Sequence, residues 1–115
     1  MKNTVTLIGN VGSDPETKHV GDNQVTNFSL ATSESYKDRN GEKVKETEWH
    51  NIVLWRGLSK VAESYVKKGY LLSITGKIKS RTYENKEGQK VKVTDIVGSE
   101  LIMLGGKKQD EGVKF

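Results

Sequence analysis

The chain has no cysteine and only one proline, Pro15, in 115 residues. Without cysteine there is no disulfide framework and no thiolate metal site. Histidine is almost as scarce. His19 and His50 are the only two, and neither sits in a metal-binding or nucleophile motif. Asp14 and Glu16 flank Pro15 and read as turn residues rather than an acid–base pair. Long apolar runs are missing too, and none approaches the roughly 20 residues that span a bilayer. The start, MKNTVTLIGNVG, alternates polar and apolar residues and lacks the unbroken apolar region of a signal peptide. These absences give the expectation of an intracellular, cytoplasmic protein that is not an enzyme, needs no cofactor or metal and does not enter a membrane.

What is present fits one domain. The length is that of a single globular unit, and hydrophobic residues make up 33%, enough for one modest core. Charged residues reach 30%, with 19 basic against 15 acidic, for a net charge of +4. Such mild basicity permits a polyanionic partner without requiring one.

Periodicity then orders the chain. Asn3–Val11 alternates threonines with aliphatic residues and reads as a strand. Gly12-Ser13-Asp14-Pro15 breaks it, and Gly21-Asp22-Asn23 marks a turn. Gln24–Glu34 is a second strand. Tyr36–Glu46 (YKDRNGEKVKE) carries charges and almost no apolar residues. Its Asn40-Gly41 pair, where both residues tolerate positive φ, predicts a hairpin turn projecting into solvent. Trp49–Trp55 is the third strand. Leu58–Lys68 changes period, with Leu58, Val61, Ala62, Tyr65 and Val66 on one helical face. Lys67 and Lys68 suit its dipole and Gly69 its C-cap. Tyr70–Tyr83 and Gln89–Leu104 complete the set, joined by a turn at Asn85–Gly88. The last strand is interrupted near Gly98. Three strands, one helix and two strands is the order of an all-β OB-fold, a five-stranded Greek-key barrel with its helix between strands three and four. An open antiparallel sheet with the helix on one face is the alternative. The domain runs over residues 1–106, followed by a short polar tail over 107–115.

Two strands carry unusual side chains. TEWHNIVLWRG (Thr47–Gly57) holds both tryptophans in a chain with eight aromatic residues. On a strand, Trp49, Asn51, Val53 and Trp55 point one way and His50, Ile52 and Leu54 the other. If His50, Ile52 and Leu54 serve the core, the two indoles lie outward as a stacking platform, which Tyr36 could join. On the fourth strand Lys77, Lys79, Arg81 and Tyr83 share a face, spaced about 6.6 Å apart. Cations in line with an aromatic ring suit a flexible phosphate backbone with splayed bases. A solvated, aggregation-resistant face is the competing interpretation.

GNVGSDPE (Gly9–Glu16), FSLATSESYKD (Phe28–Asp38), TEWHNIVLW (Thr47–Trp55) and VKKG (Val66–Gly69) together resemble the bacterial single-stranded DNA-binding proteins. The resemblance runs from about Asn3 to Gly106. It implies an OB fold, usually a homotetramer, that binds single-stranded DNA at the bacterial nucleoid in replication, recombination and repair. It assigns base stacking to Tyr36, Trp49, Trp55 and Tyr83, and places His50 near a subunit interface. It also implies a long linker and an acidic tip that recruits replication and repair proteins. Here KKQDEGVKF, with three lysines against Asp110 and Glu111, follows Gly106, so recruitment through the tail is not expected. A primosomal-type OB module that binds a protein partner or RNA is the alternative function.

Overall fold

The alternation read from the sequence closes into a barrel. The computed structural model describes residues 2–105, with β1 (Val5–Val11), β2 (Glu16–Val20), β3 (Asn23–Lys37), β4 (Lys43–Trp55), α1 (Gly57–Tyr65), β5 (Leu71–Glu84) and β6 (Lys90–Gly105). The strands follow the order β1-β5-β6-β4-β3-β2, and β1 also pairs with β3. Five strands therefore close in a ring, β1-β5-β6-β4-β3-β1, with the one helix between the third and fourth of them. This is the OB-fold arrangement expected from element order. The β4–β6 junction is parallel, with Asn51 opposite Asp95 and Val53 opposite Val97. The other pairings are antiparallel.

The core takes one pleat face from each barrel strand. Val11, Phe28, Leu30, Ile52, Leu54, Leu72, Ile74 and Ile96 are buried, and α1 adds Ala62, with Val66 just beyond it. Complete burial of an aliphatic side chain stabilises by about 1.5–3 kcal/mol relative to exposure, so the inward faces of β3, β4 and β5 fix the register. A small polar knot ties the helix down. The buried Thr26 hydroxyl lies 2.6 Å from that of Ser59 and 2.9 Å from that of Thr17, linking β3 to α1 and β2.

Three local features depart from the sequence expectation. β2 was not expected, because Glu16–Val20 has no buried face. Its backbone pairing with β3 makes it a strand, from Glu16 opposite Asn27 to Val20 opposite Asn23. The helix stops at Tyr65, short of Lys67 and Lys68, because Val66 turns to extended geometry (φ −87, ψ 131) and enters the core. Gly69 does not cap the helix. Its N–H donates to the Val11 carbonyl at 2.8 Å. The expected interruption of the last strand is a register shift, where Thr75 faces Glu100 and Gly76 faces Gly98.

Beyond the barrel, β3–β4 and β5–β6 continue as two-stranded arms, and the molecule measures 51 Å along its longest axis against 36 and 34 Å. Both arms end in the same five-residue turn. In one, the Asp38 carboxylate accepts the N–H groups of Asn40 and Glu42. In the other, the Asn85 side-chain oxygen accepts those of Glu87 and Gln89. Gly41 and Gly88 each take φ 78 in the matching position. Asn40 does not adopt positive φ, because the Asp38 side chain supplies the acceptor that shapes the turn.

Candidate nucleic-acid interface

The outward faces of β3, β4, β6 and β5 form one continuous surface. Opposite residues across a pair share a face, so the register decides which side chains meet. Val25, Asn27, Ser29 and Ala31 of β3 lie opposite Trp55, Val53, Asn51 and Trp49 of β4. Asn51 lies opposite Asp95 of β6, and Asp95 opposite Lys79 of β5. Trp49 and Trp55 thus share the outer face with Lys77, Lys79, Arg81 and Tyr83, and β6 runs between the two rows. Adjacent strands lie about 4.8 Å apart, so the rows are separated by roughly 10 Å. That is within reach of one single strand whose bases and phosphates point to opposite sides.

Exposure separates the two faces of β4. Ile52 and Leu54 are fully buried, whereas Trp49 is 61% exposed and Trp55 39%. Tyr83, toward the tip of the β5–β6 arm, is 48% exposed. An indole left that open forgoes burial that would stabilise a monomer, and suits a surface that takes flat apolar ligands.

Tyr36 stands apart. It is opposite Val44, in the same alternating set as Phe28, Leu30 and Thr32, and therefore on the other face of the β3–β4 arm from Trp49. It does not join the two indoles. Its hydroxyl donates to Glu46 Oε1 at 2.7 Å, and the hydrogen bond and charge of that carboxylate raise the phenol above its usual pKa of 10.0. His50 is half-buried, with Nε2 2.9 Å from the Thr32 hydroxyl. It lines a cavity of about 540 Å³ between β1 and the base of the β3–β4 arm.

Two residues of this surface escaped the sequence reading. Gly12 is the floor under Trp49. A Cβ built there would lie 2.2 Å from Cζ3 of the indole, so any side chain must push the ring away. The loop is held in place, since Gly12 donates to the Ser29 carbonyl at 2.8 Å and Ser13 Oγ accepts from the Ser29 amide at 3.1 Å. In sequence this glycine marks only a turn, because its contact is with a residue 37 positions away. Asp95 is the other. It is 7% exposed, accepts from the Asn51 amide, and binds Arg81 Nε through Oδ2 at 2.8 Å. This is the sole ion pair among the described residues. Nothing in the local pattern KVKVTDIVG distinguishes Asp95 from a solvated acid. Beside these residues a concavity of about 440 Å³ is lined by Trp55, Asn27, Asn51, Lys79, Arg81 and Asp95, among others. Among the described residues there is no cluster of three acidic or histidine side chains able to hold a metal ion.

Comparison with known proteins agrees with the resemblance. Residues 2–104 match the family described as "Single-strand binding protein family". The chain is 47% identical over 111 residues to a single-stranded DNA-binding protein of Neisseria meningitidis, covering 96% of this chain and 64% of that protein's length. It is 43% identical over 112 residues to single-stranded DNA-binding protein 1 of Chlorobaculum tepidum, covering 96% and 69%. Its fold is similar to the solved structure "Plasmodium falciparum SSB complex with ssDNA", with a TM-score of 0.83, 33% identity, and 90% and 96% of the two chains covered.

Proposed function

This chain belongs to the single-strand binding protein family, and we propose that it binds single-stranded DNA with little sequence preference. It acts without catalysis, protecting and organising the strand in replication, recombination and repair at the bacterial nucleoid. The observation that carries the reading is the shared outer face of Trp49, Trp55, Lys77, Lys79, Arg81 and Tyr83. Stacking on an aromatic face contributes about 1–3 kcal/mol per base and accepts any base. Lys77 and Lys79 supply cations to the phosphates, and counterion release makes such binding weaken as salt rises. Tyr36, behind the β3–β4 arm, takes part where the strand passes round that arm.

We propose a homotetramer as the working form. The number four rests on the family resemblance. Self-association itself has support in β1, whose residues Val5–Gly9 pair only with β5, while β3 meets β1 only at Asn10 and Val11. One edge of β1 is therefore unpaired, and an open edge is a template for another strand. Ile8 on this strand is 59% exposed, and His50 lines the adjoining cavity. Recruitment of replication and repair proteins rests on the family resemblance alone, and residues 107–115 lie outside the described residues.

The test is a titration of end-labelled oligo-dT followed by anisotropy at several salt concentrations, with native mass measured in parallel. The reading expects tight binding, a clear loss of affinity with salt, and a mass of four chains. Absence of binding to oligo-dT, with capture of RNA or a protein instead, would point to the interaction-module alternative.

A further inference from the structure

A surface built for a polyanion has no evident use for a carboxylate at its centre. Asp95 nevertheless sits on β6 between the indole row and the cation row, directly opposite Lys79 and beside Asn51. Its side chain is only 10% exposed, against 56% for Arg81, so the acid is held in the sheet while the guanidinium reaches outward. Both of its oxygens are occupied, one by the Asn51 amide and the other by Arg81 Nε. A desolvated carboxylate is tolerable only with such partners. The arrangement has two consequences. The Arg81 charge is neutralised locally, and the side chains of Arg81 and Asn51 are fixed in direction. Arg81 retains its Nη donors, and Asn51 its carbonyl oxygen as an acceptor.

Resting on the proposed binding of single-stranded DNA, we infer that the concavity beside Trp55 is a seat for a nucleobase and that Asp95 keeps phosphate off Arg81. A phosphate approaching Arg81 meets a carboxylate 2.8 Å behind the guanidinium nitrogen. A neutral base meets no such repulsion. It finds an indole face at Trp55, donors on Arg81 and an acceptor on Asn51, around a space of about 440 Å³. Lys18 and Lys79 also line the concavity and, with Lys77, are not ion-paired among the described residues, so phosphate goes to these three cations and the base to Arg81. Asp95 is therefore a positioning residue. It turns Arg81 from a phosphate contact into a base contact, and so decides which edge of the strand faces the barrel.

The test compares oligo-dT with an abasic strand of the same length, across a salt series, for the wild-type chain and two variants. Arg81→Gln places an amide N–H where Nε donates, so the Asp95 carboxylate keeps a partner in the sheet. The variant should weaken oligo-dT several-fold, leave the salt slope unchanged and hardly affect the abasic strand. Asp95→Asn frees the Arg81 charge and should steepen the salt slope by about 0.7, the contribution of one further phosphate on a single strand. Its affinity for the abasic strand should rise. Melting curves check that both variants remain folded. If Arg81→Gln instead flattens the slope by about 0.7 and weakens both strands alike, Arg81 binds phosphate and the inference is overturned. An unchanged slope in folded Asp95→Asn overturns it as well. Failure of the wild-type chain to bind oligo-dT would instead remove the proposed function itself, so the two failures are separable.

Discussion

The two arms share a backbone design and differ in charge. Each is an antiparallel ribbon closed by an Asx-stabilised turn with glycine at φ 78. Between Glu34 and Glu46 the β3–β4 arm carries four cations and four anions, whereas between Lys77 and Lys92 the β5–β6 arm carries six cations and two anions. The second arm alone thus accounts for an excess equal to the net +4 of the whole chain. The first presents Trp49 at its base. The second presents Lys77, Lys79 and Arg81 in line, with Tyr83 beyond. Equal scaffolds therefore do unequal work. On the proposed reading, one side of the outer face takes bases and the other holds the phosphate chain through Lys77 and Lys79, and their separation by one strand matches the two edges of a nucleotide strand.

The largest effect should come from the stacking side. Replacing Trp49 and Trp55 by alanine should each cost about 1–3 kcal/mol in oligo-dT affinity, measured by anisotropy, with the salt slope kept. Next comes the charge contrast. Lys77→Gln with Lys79→Gln should flatten the salt slope by about 1.4, while Lys43→Gln with Lys45→Gln on the balanced arm should change it far less. Equal slopes for the two pairs would erase the distinction between the arms. A smaller loss is expected from Gly12→Ala. The new methyl group displaces the Trp49 ring and should reduce oligo-dT affinity several-fold, less than Trp49→Ala does, with the melting temperature nearly unchanged.

The smallest effect concerns Tyr36. The Glu46 hydrogen bond and charge favour the neutral phenol, so its folded pKa is raised. Any stability it contributes is present below the unfolded pKa of about 10 and is lost as pH rises through the higher folded value. Phenolate absorbance should therefore contain a component with a midpoint above 10 that disappears in Tyr36→Phe and moves down in Glu46→Gln. If Glu46→Gln leaves that component in place, the contact does not govern Tyr36.

Much of this was legible because strand periodicity is strict. In Trp49–Trp55 a one-residue slip would bury the indoles and expose Ile52 and Leu54, so the outward platform follows from alternation once the core face is chosen. Barrel order followed from the single helical period at residues 58–66. What escaped depends on contacts between distant residues. β2 has no apolar face and exists through backbone pairing alone. The helix end was lost to Val66, whose burial overrides the favourable placement of Lys67 and Lys68. Gly12 and Asp95 look ordinary in sequence, and only the register that brings them to Trp49, Asn51 and Arg81 reveals their roles. Tyr36 was misplaced for a similar reason. Its parity relative to Trp49 depends on the length of the turn at 38–42, which the Asp38 side chain sets.

The central claim is that the outer face takes bases on Trp49 and Trp55, and intrinsic tryptophan emission reads it directly because no other tryptophan is present. Oligo-dT should quench that emission strongly and in step with the anisotropy of the bound strand, and added salt should restore it. Saturated binding by anisotropy with emission unchanged would contradict the account, because the bases would then lie elsewhere.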